Sequence, residues 1–348
     1  ELIRQRPRSQ HTPIIFLTAY ANDDLQVFKG YSLGAVDYLS KPIVPQVLRS
    51  KVSVFVDMFR KTEEVKQQAE LLRELEQREH ERELAEVKER MESQRLRDEL
   101  RIARQIQQKL FPVAPLPMAG YDVGGASLPA EATGGDYFDY VPIRDGGLGI
   151  LIGDVSGHGF GPALLMAQTR AYLRAFLLSH TDVRDIIALV NRALADDSPD
   201  GHFMTLLFAR LDHKARTFQY VSAGHTTGYL LDRSGAVKTH LESTGMPLGV
   251  LSDWEFEAAP TLQLEPGDLL LLLTDGVVEA HDADEQLFGP QRMLDVVRGC
   301  RDRPAREIVN TLFDSVRDFC GARAQFDDMT AVVVKVDDAV SSSLESRL

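Results

Sequence analysis

Aspartate recurs at one kind of place in this chain: beside glycine, where a short apolar run begins or ends. The clearest case is Gly149-Ile150-Leu151-Ile152-Gly153-Asp154-Val155-Ser156-Gly157-His158-Gly159. The apolar run has the length of a buried strand, and Gly157 and Gly159 allow a sharp turn after it. Gly134-Gly135-Asp136-Tyr137-Phe138-Asp139 sets an aspartate between glycines and a strand. Leu271-Leu272-Leu273-Thr274-Asp275-Gly276 repeats the order of strand then acid, and Phe326-Asp327-Asp328-Met329-Thr330 puts an acidic pair before a valine-rich run. Singly, each is an ordinary turn, since Asp bonds its own backbone and Gly takes positive φ. Together they are acidic strand ends able to converge on one sheet edge. Unpaired carboxylates repel there, so convergence calls for a cation. An all-oxygen donor set suits two hard ions, Mn²⁺ or Mg²⁺, rather than zinc. No cysteine or histidine cluster competes. Asp154 is expected to be the central ligand of that metal pair.

The elements that must position these residues lie in 111–338. Strands are expected at 122–127, 137–142, 148–153, 204–212, 217–223, 228–232, 268–274 and 330–336. Helices are expected at 161–178, 183–196, 291–298 and 304–319. Many strands with clustered helices make an α+β layered sandwich with mostly antiparallel sheets. The Ser-rich stretch 339–348 reads as a disordered tail.

Two further regions precede this domain. Residues 1–60 alternate strand and helix, with an apolar run from Thr12 to Thr18, an Asn22-Asp23-Asp24 cap, helical spacing through Leu25, Phe28 and Leu33, and a stop at Gly34. A second strand at Val36–Leu39 leads to Lys41-Pro42, and a helix follows from Pro45. In 61–100, 22 of 40 residues are charged, with no Gly or Pro. Val65, Leu72 and Leu75, then Leu84, Val87 and Met91, then Leu96, Leu100, Ala103, Ile106 and Leu110 form an apolar stripe with register breaks. That pattern predicts a parallel dimeric coiled coil over 61–110, ended by Pro112, Pro115 and Pro117. A solvated single helix is the simpler alternative.

A net charge of −13 argues against nucleic acid as a general partner, since a phosphate backbone wants a basic face. The longest apolar run, Leu269–Leu273, is strand-sized, so no membrane span is expected. Two cysteines, Cys300 and Cys320, fit a reducing cytoplasm rather than a disulfide framework.

The acidic motifs, with Ser222-Ala223-Gly224-His225 and Gly245-Met246-Pro247-Leu248-Gly249 between them, resemble in content and order the metal-dependent (type 2C) serine/threonine protein phosphatases, specifically their bacterial SpoIIE/RsbU-type branch. The resemblance covers nearly all of 111–338. It implies a four-layer αββα sandwich and hydrolysis of phosphoserine or phosphothreonine in a protein. It also implies that Asp154 bridges two ions, that the Val155 carbonyl binds one, and that Asp275 and the pair Asp327 and Asp328 complete the other. Asp327 matches the ligand position, whereas Asp328 stands where asparagine is common. Asp136 would lie close to the metals. Two such ions lower the pKa of bound water and neutralise phosphoryl oxygens, with no covalent enzyme intermediate. His158 is the candidate general acid for the leaving oxygen. Its spacing of four from Asp154, where other members of the family have two, leaves the alternative that it orders the turn. His225 reads as structural or substrate-adjacent, with the structural reading favoured. No arginine stands at the phosphate-binding place of the eukaryotic enzymes, so docking must help to position the substrate.

Residues 1–60 resemble the second half of a response-regulator receiver domain, with Thr18 as the switch hydroxyl, Tyr38 as the switch aromatic and Lys41 as the phosphate-contacting lysine. The phosphoacceptor aspartate is then expected before residue 1, and the upstream partner is a histidine kinase or phosphotransfer protein. The implied substrate is an anti-anti-sigma (STAS-type) protein. Two other functions are weighed. Gly134-Gly135-Asp136-Tyr137-Phe138 superficially resembles the diguanylate cyclase signature, but Tyr137 replaces its second acid. A non-catalytic scaffold would not need the retained aspartates.

Overall fold

The computed structural model describes residues 3, 5–19, 36–114, 118–144, 146–197 and 201–337. The expected cap and helix over 22–34, Pro115, Pro117 and the tail 339–348 lie outside the described residues. The chain divides into two compact units, Glu1–Gln94 and Arg95–Leu348.

In the first unit, β1 (Ile15–Thr18) and β2 (Asp37–Ser40) pair in parallel, with Thr18 opposite Ser40. The Lys41 N–H donates to the Thr18 carbonyl at 2.7 Å, and Tyr38 stacks on Phe16 with centroids 5.7 Å apart. Thr18 and Lys41 thus meet at the ends of neighbouring parallel strands. Helix α1, Pro45–Gln108, is one uninterrupted element of 64 residues. It runs without a break through residue 61, where the first two regions are expected to meet, because without Gly or Pro nothing there breaks the backbone hydrogen-bond ladder. The stripe residues Val65, Leu72, Leu75, Leu84, Val87, Met91 and Leu96 are all exposed.

The second unit contains two five-stranded sheets. One runs β10 (Leu262–Gln263), β7 (Thr217–Ala223), β6 (Met204–Asp212), β5 (Leu148–Val155), β4 (Tyr137–Pro142). The other runs β3 (Tyr121–Leu128), β12 (Met329–Val336), β11 (Leu269–Leu273), β8 (Gly228–Leu231), β9 (Val237–Leu241). Every pairing within them is antiparallel. Ile150, Ile152, Leu207, Leu270, Leu272 and Val332 pack between the sheets. The opposite faces of the same strands pack on helices. Leu151 and Phe208 meet α2 (Phe160–Phe176) and α3 (Val183–Asp197), while Leu271 and Val333 meet α5 (Gly289–Cys300) and α6 (Ala305–Cys320). This is the expected four-layer αββα sandwich. Burial on both faces explains why Leu269–Leu273 reads as an unbroken apolar run instead of alternating. The short strands β9 and β10 and the four-residue helix α4 (Asp275–Val278) went unanticipated. They are too short or too polar to carry a period.

Asp139, within β4, is fully buried, and it binds the Arg174 guanidinium of α2 through both oxygens at 2.7 and 2.9 Å. The Tyr137 hydroxyl donates to it at 3.0 Å. The second acid of the Gly-Gly-Asp-Tyr-Phe-Asp motif thus fastens helix to sheet. Asp139→Ala leaves the exposed Arg174 guanidinium and a buried hydroxyl without their acceptor. It should lower stability by about 3 kcal/mol, the lower end for a broken buried ion pair because Arg174 is partly solvated. Urea unfolding measures this, and a change under 1 kcal/mol would contradict the assignment.

Candidate functional site

Antiparallel pairing brings the acidic strand ends together. Tyr137 at the start of β4 faces Gly153 near the end of β5, so Asp136 and Asp154 share one edge of the first sheet. Leu273 at the end of β11 faces Ala331 near the start of β12, so Asp275 and the pair 327–328 share an edge of the second. A side-chain bond joins the two edges: the Thr274 hydroxyl donates to Asp136 Oδ2 at 2.8 Å, and its oxygen accepts the Thr330 N–H at 2.9 Å. Thr274 stood inside a sequence motif without a role of its own.

The first edge is closely packed. A Cβ on Gly135 would stand 2.9 Å from the Val155 carbonyl oxygen and 3.4 Å from Asp154 Oδ1, so only glycine lets this backbone lie against the candidate ligands. Beyond β5 the chain turns through Gly157 and Gly159 with φ of 90° and 91°, as the motif required. His158, between them, is exposed, and its Nδ1 lies 3.0 Å from Glu131. That position suits either ordering the turn or serving at the rim.

The acidic pair divides its work. Asp328 is buried and accepts N–H bonds from Ala130 at 2.8 Å and Gly135 at 2.7 Å, which ties the loop before β4 to the start of β12. Asp327 is half-buried, and its carboxylate accepts only the neighbouring Asp328 N–H among the hydrogen bonds described. Its carboxylate is the freer of the two.

Electrostatics couple the group. Burial raises the Asp154 carboxyl to about 8, with Asp275, Asp327 and Asp328 adding repulsion. Burial, then Asp154 and Asp328, hold Asp136 well above the usual carboxylate range. Asp275 and Asp327 are raised as well, first by burial. Asp136 Oδ1 is buried without a hydrogen-bond partner. A cluster of this kind gains from positive charge, and its donors are all oxygen, so Asp136, Asp154, Asp275, Asp327 and the Val155 carbonyl could hold hard cations. Among the described residues, no three acidic or imidazole side chains close into a tight metal cage by themselves.

His225 sits behind the site. Its Nδ1 is 3.0 Å from Thr205 Oγ1, which lies 3.4 Å from the Asp154 carbonyl oxygen. The structural role expected for His225 agrees with this placement. Burial lowers the imidazole to about 4, against the opposing pull of the Leu273 backbone. Below pH 6.5 the unfolded chain takes up a proton that the folded imidazole refuses until about pH 4. Stability therefore falls as pH drops across that window, by about 3 kcal/mol for this one group. His225→Gln should flatten that part of the profile. Urea unfolding at pH 7 and pH 4.5 checks it, and parallel profiles for the two proteins would refute it.

Comparison with known proteins agrees with this fold. The family model described as stage II sporulation protein E (SpoIIE) matches residues 144–337, a span that contains Asp154, Asp275, Asp327 and Asp328. Protein IcfG of Synechocystis sp. is 28% identical over 263 residues, 68% of this chain and 41% of IcfG. The phosphoserine phosphatase RsbU of Bacillus subtilis is 26% identical over 245 residues, 70% of this chain and 71% of RsbU. The solved RsbU and RsbW domains of Rv1364c from Mycobacterium tuberculosis superpose with a TM-score of 0.58 at 26% identity, covering 66% of this chain and 63% of that one. The chain thus spans less than half the length of IcfG. With the SpoIIE model covering more than half of the sequence, on two packed antiparallel sheets, this chain belongs to the SpoIIE family and contains a phosphatase domain of the PP2C type.

Proposed function

We propose that this chain is a metal-dependent phosphoserine/phosphothreonine protein phosphatase that serves as the output of a response regulator. The observation that carries this reading is the placement of Asp136, Asp154, Asp275 and Asp327 at the ends of strands in two sheets whose edges are joined by the Thr274–Asp136 hydrogen bond, where the acids raise one another's carboxyl groups. Asp154 and the Val155 carbonyl, with Asp275 and Asp327, would hold two Mn²⁺ or Mg²⁺ ions, with Asp136 beside them and Asp328 orienting the loop. Bound there, the ions would supply an activated water and neutralise charge on the phosphoryl oxygens. The chain's own contribution is orientation. Thr274 fixes the Asp136 carboxylate, and Gly135 gives the Val155 carbonyl room. His158 at the exposed rim is available to hand a proton to the departing seryl oxygen. The name of RsbU, phosphoserine phosphatase, supports the substrate class. A cyclase would leave Asp154, Asp275 and Asp327 without a role.

For the whole protein, the substrate we propose is a phosphorylated anti-anti-sigma protein. The parallel β1–β2 pair, with Thr18 next to Lys41, supports a receiver addressed by a histidine kinase. The exposed apolar stripe of α1 supports pairing of two copies as a coiled coil. Among the described residues no helix is long and apolar enough to cross a membrane, and the free cysteines are compatible with a cytoplasmic setting.

Asp154→Asn should reduce Mn²⁺-dependent hydrolysis of p-nitrophenyl phosphate and of a phosphoserine protein roughly a thousandfold, a loss of several kcal/mol of transition-state stabilisation. The far-UV circular dichroism should stay unchanged. Undiminished hydrolysis would refute the metal assignment, and accumulation of a cyclic dinucleotide from GTP would overturn the phosphatase reading.

A further inference from the structure

Helix α1 has one buried residue among its 64, and it is polar: Gln107, in the last turn, 8% exposed. Its amide binds both backbone groups of a single glycine. Nε2 donates to the Gly134 carbonyl at 2.7 Å, and the Gly134 N–H donates to Oε1 at 3.1 Å. A side-chain amide used in this way acts like a strand partner for one residue.

The glycine it holds begins the Gly134-Gly135-Asp136 segment. On its other side a Cβ at Gly134 would fall 2.2 Å from Asp328 Oδ2. Gly135 follows, bonded to Asp328 and lying against the Val155 carbonyl, and then comes Asp136. The segment is therefore gripped between Gln107 on one side and the candidate metal-holding groups on the other. The grip is itself anchored. Leu110 N–H donates to the Gln107 carbonyl at 2.8 Å, Arg170 of α2 donates to the Leu110 carbonyl at 2.9 Å, and Phe111 stacks on Phe138 of β4 with centroids 5.4 Å apart. The end of α1 is thus seated on both the helix layer and the sheet that form the cleft.

We propose that Gln107 is a positioning residue: through its paired bonds to Gly134, the last turn of α1 holds the Gly134–Asp136 segment in the conformation that presents Asp136 and the Val155 carbonyl to divalent cations. This rests on the metal reading of the site. The sequence has glutamines at 105, 107 and 108, and only the one at 107 is buried. Losing it leaves the N–H and C=O of Gly134 without partners in a buried setting, where each unmet group is costly. A shift or rotation of that turn would have the same consequence, so cation affinity becomes dependent on the seating of α1.

The test uses the full chain with Gln107→Leu, which removes both bonds at similar volume, and Gln107→Asn, which keeps the amide but falls one methylene short. Amide hydrogen exchange without metal, calorimetric Mn²⁺ titration and the melting temperature are measured for each. Both variants should exchange roughly tenfold faster at 134–136 and bind Mn²⁺ roughly tenfold more weakly, the scale of one buried hydrogen-bond pair. KM for p-nitrophenyl phosphate at saturating Mn²⁺ should stay near that of the unsubstituted chain, and the melting temperature within a few degrees. If the unsubstituted chain binds Mn²⁺ and both variants match it in exchange and affinity, the proposal is overturned. General unfolding of both variants overturns it too, because Gln107 would then be a packing residue. If the unsubstituted chain takes up no Mn²⁺, it is the metal reading that fails.

Discussion

Like charge gathered at partly buried strand ends is the condition around which this domain is arranged. Asp154 is raised to about 8 by burial and by three neighbouring acids, and Asp136 is held well above the usual carboxylate range by burial and by Asp154 and Asp328. Carboxylates so placed work against folding unless fixed donors or cations offset their repulsion. The fold supplies the donors through neutral groups: the Thr274 hydroxyl to Asp136, and backbone N–H groups of Ala130 and Gly135 to Asp328. It leaves Asp136 Oδ1 and most of the Asp327 carboxylate uncommitted, and these are the atoms with something left to give a cation.

Only rigid elements can hold such an arrangement, and the two sheets provide them. The inter-sheet core of Ile150, Ile152, Leu270, Leu272 and Val332 sets the spacing of the strand ends, and Thr274 then spans the gap with one hydroxyl. Aspartates of the same motif fall to opposite uses for this reason. Asp136 precedes β4 and opens to the cleft edge, whereas Asp139 is three residues further on and faces α2, where Arg174 neutralises it. One carboxylate is compensated by a fixed guanidinium and serves the fold. The other, Asp136, is met by the Thr274 hydroxyl and keeps one oxygen without a hydrogen-bond partner.

The same logic extends to α1. A helix with charged residues on nearly every turn is satisfied by water along most of its length. Gln107 is the exception, because its amide has exchanged water for the backbone of Gly134. Gly134 lies two residues from Asp136, so the helix end and the acidic cleft cannot be treated as separate parts of the structure.

Much of this was legible in the residues. The eight main strands and four main helices of 111–338 follow from apolar runs and periods, and most boundaries fall within two residues of expectation. Each acid-and-glycine motif alone reads as an ordinary turn, and it is their repetition at strand ends that points to one edge of the sheet sandwich. Three things needed tertiary structure. Seeing that the backbone N–H groups of residues 130 and 135 bind Asp328 and not Asp327 required their positions in the fold. Assigning Asp139 to the fold required the position of Arg174, 35 residues away in the chain. Finding Gln107 among three near-adjacent glutamines required seeing which of them faces Gly134. The physical reason is common to all three. Local sequence sets backbone preference and polarity pattern, but the partner of a buried polar group is chosen by packing between distant segments, and the partner decides what that group can do.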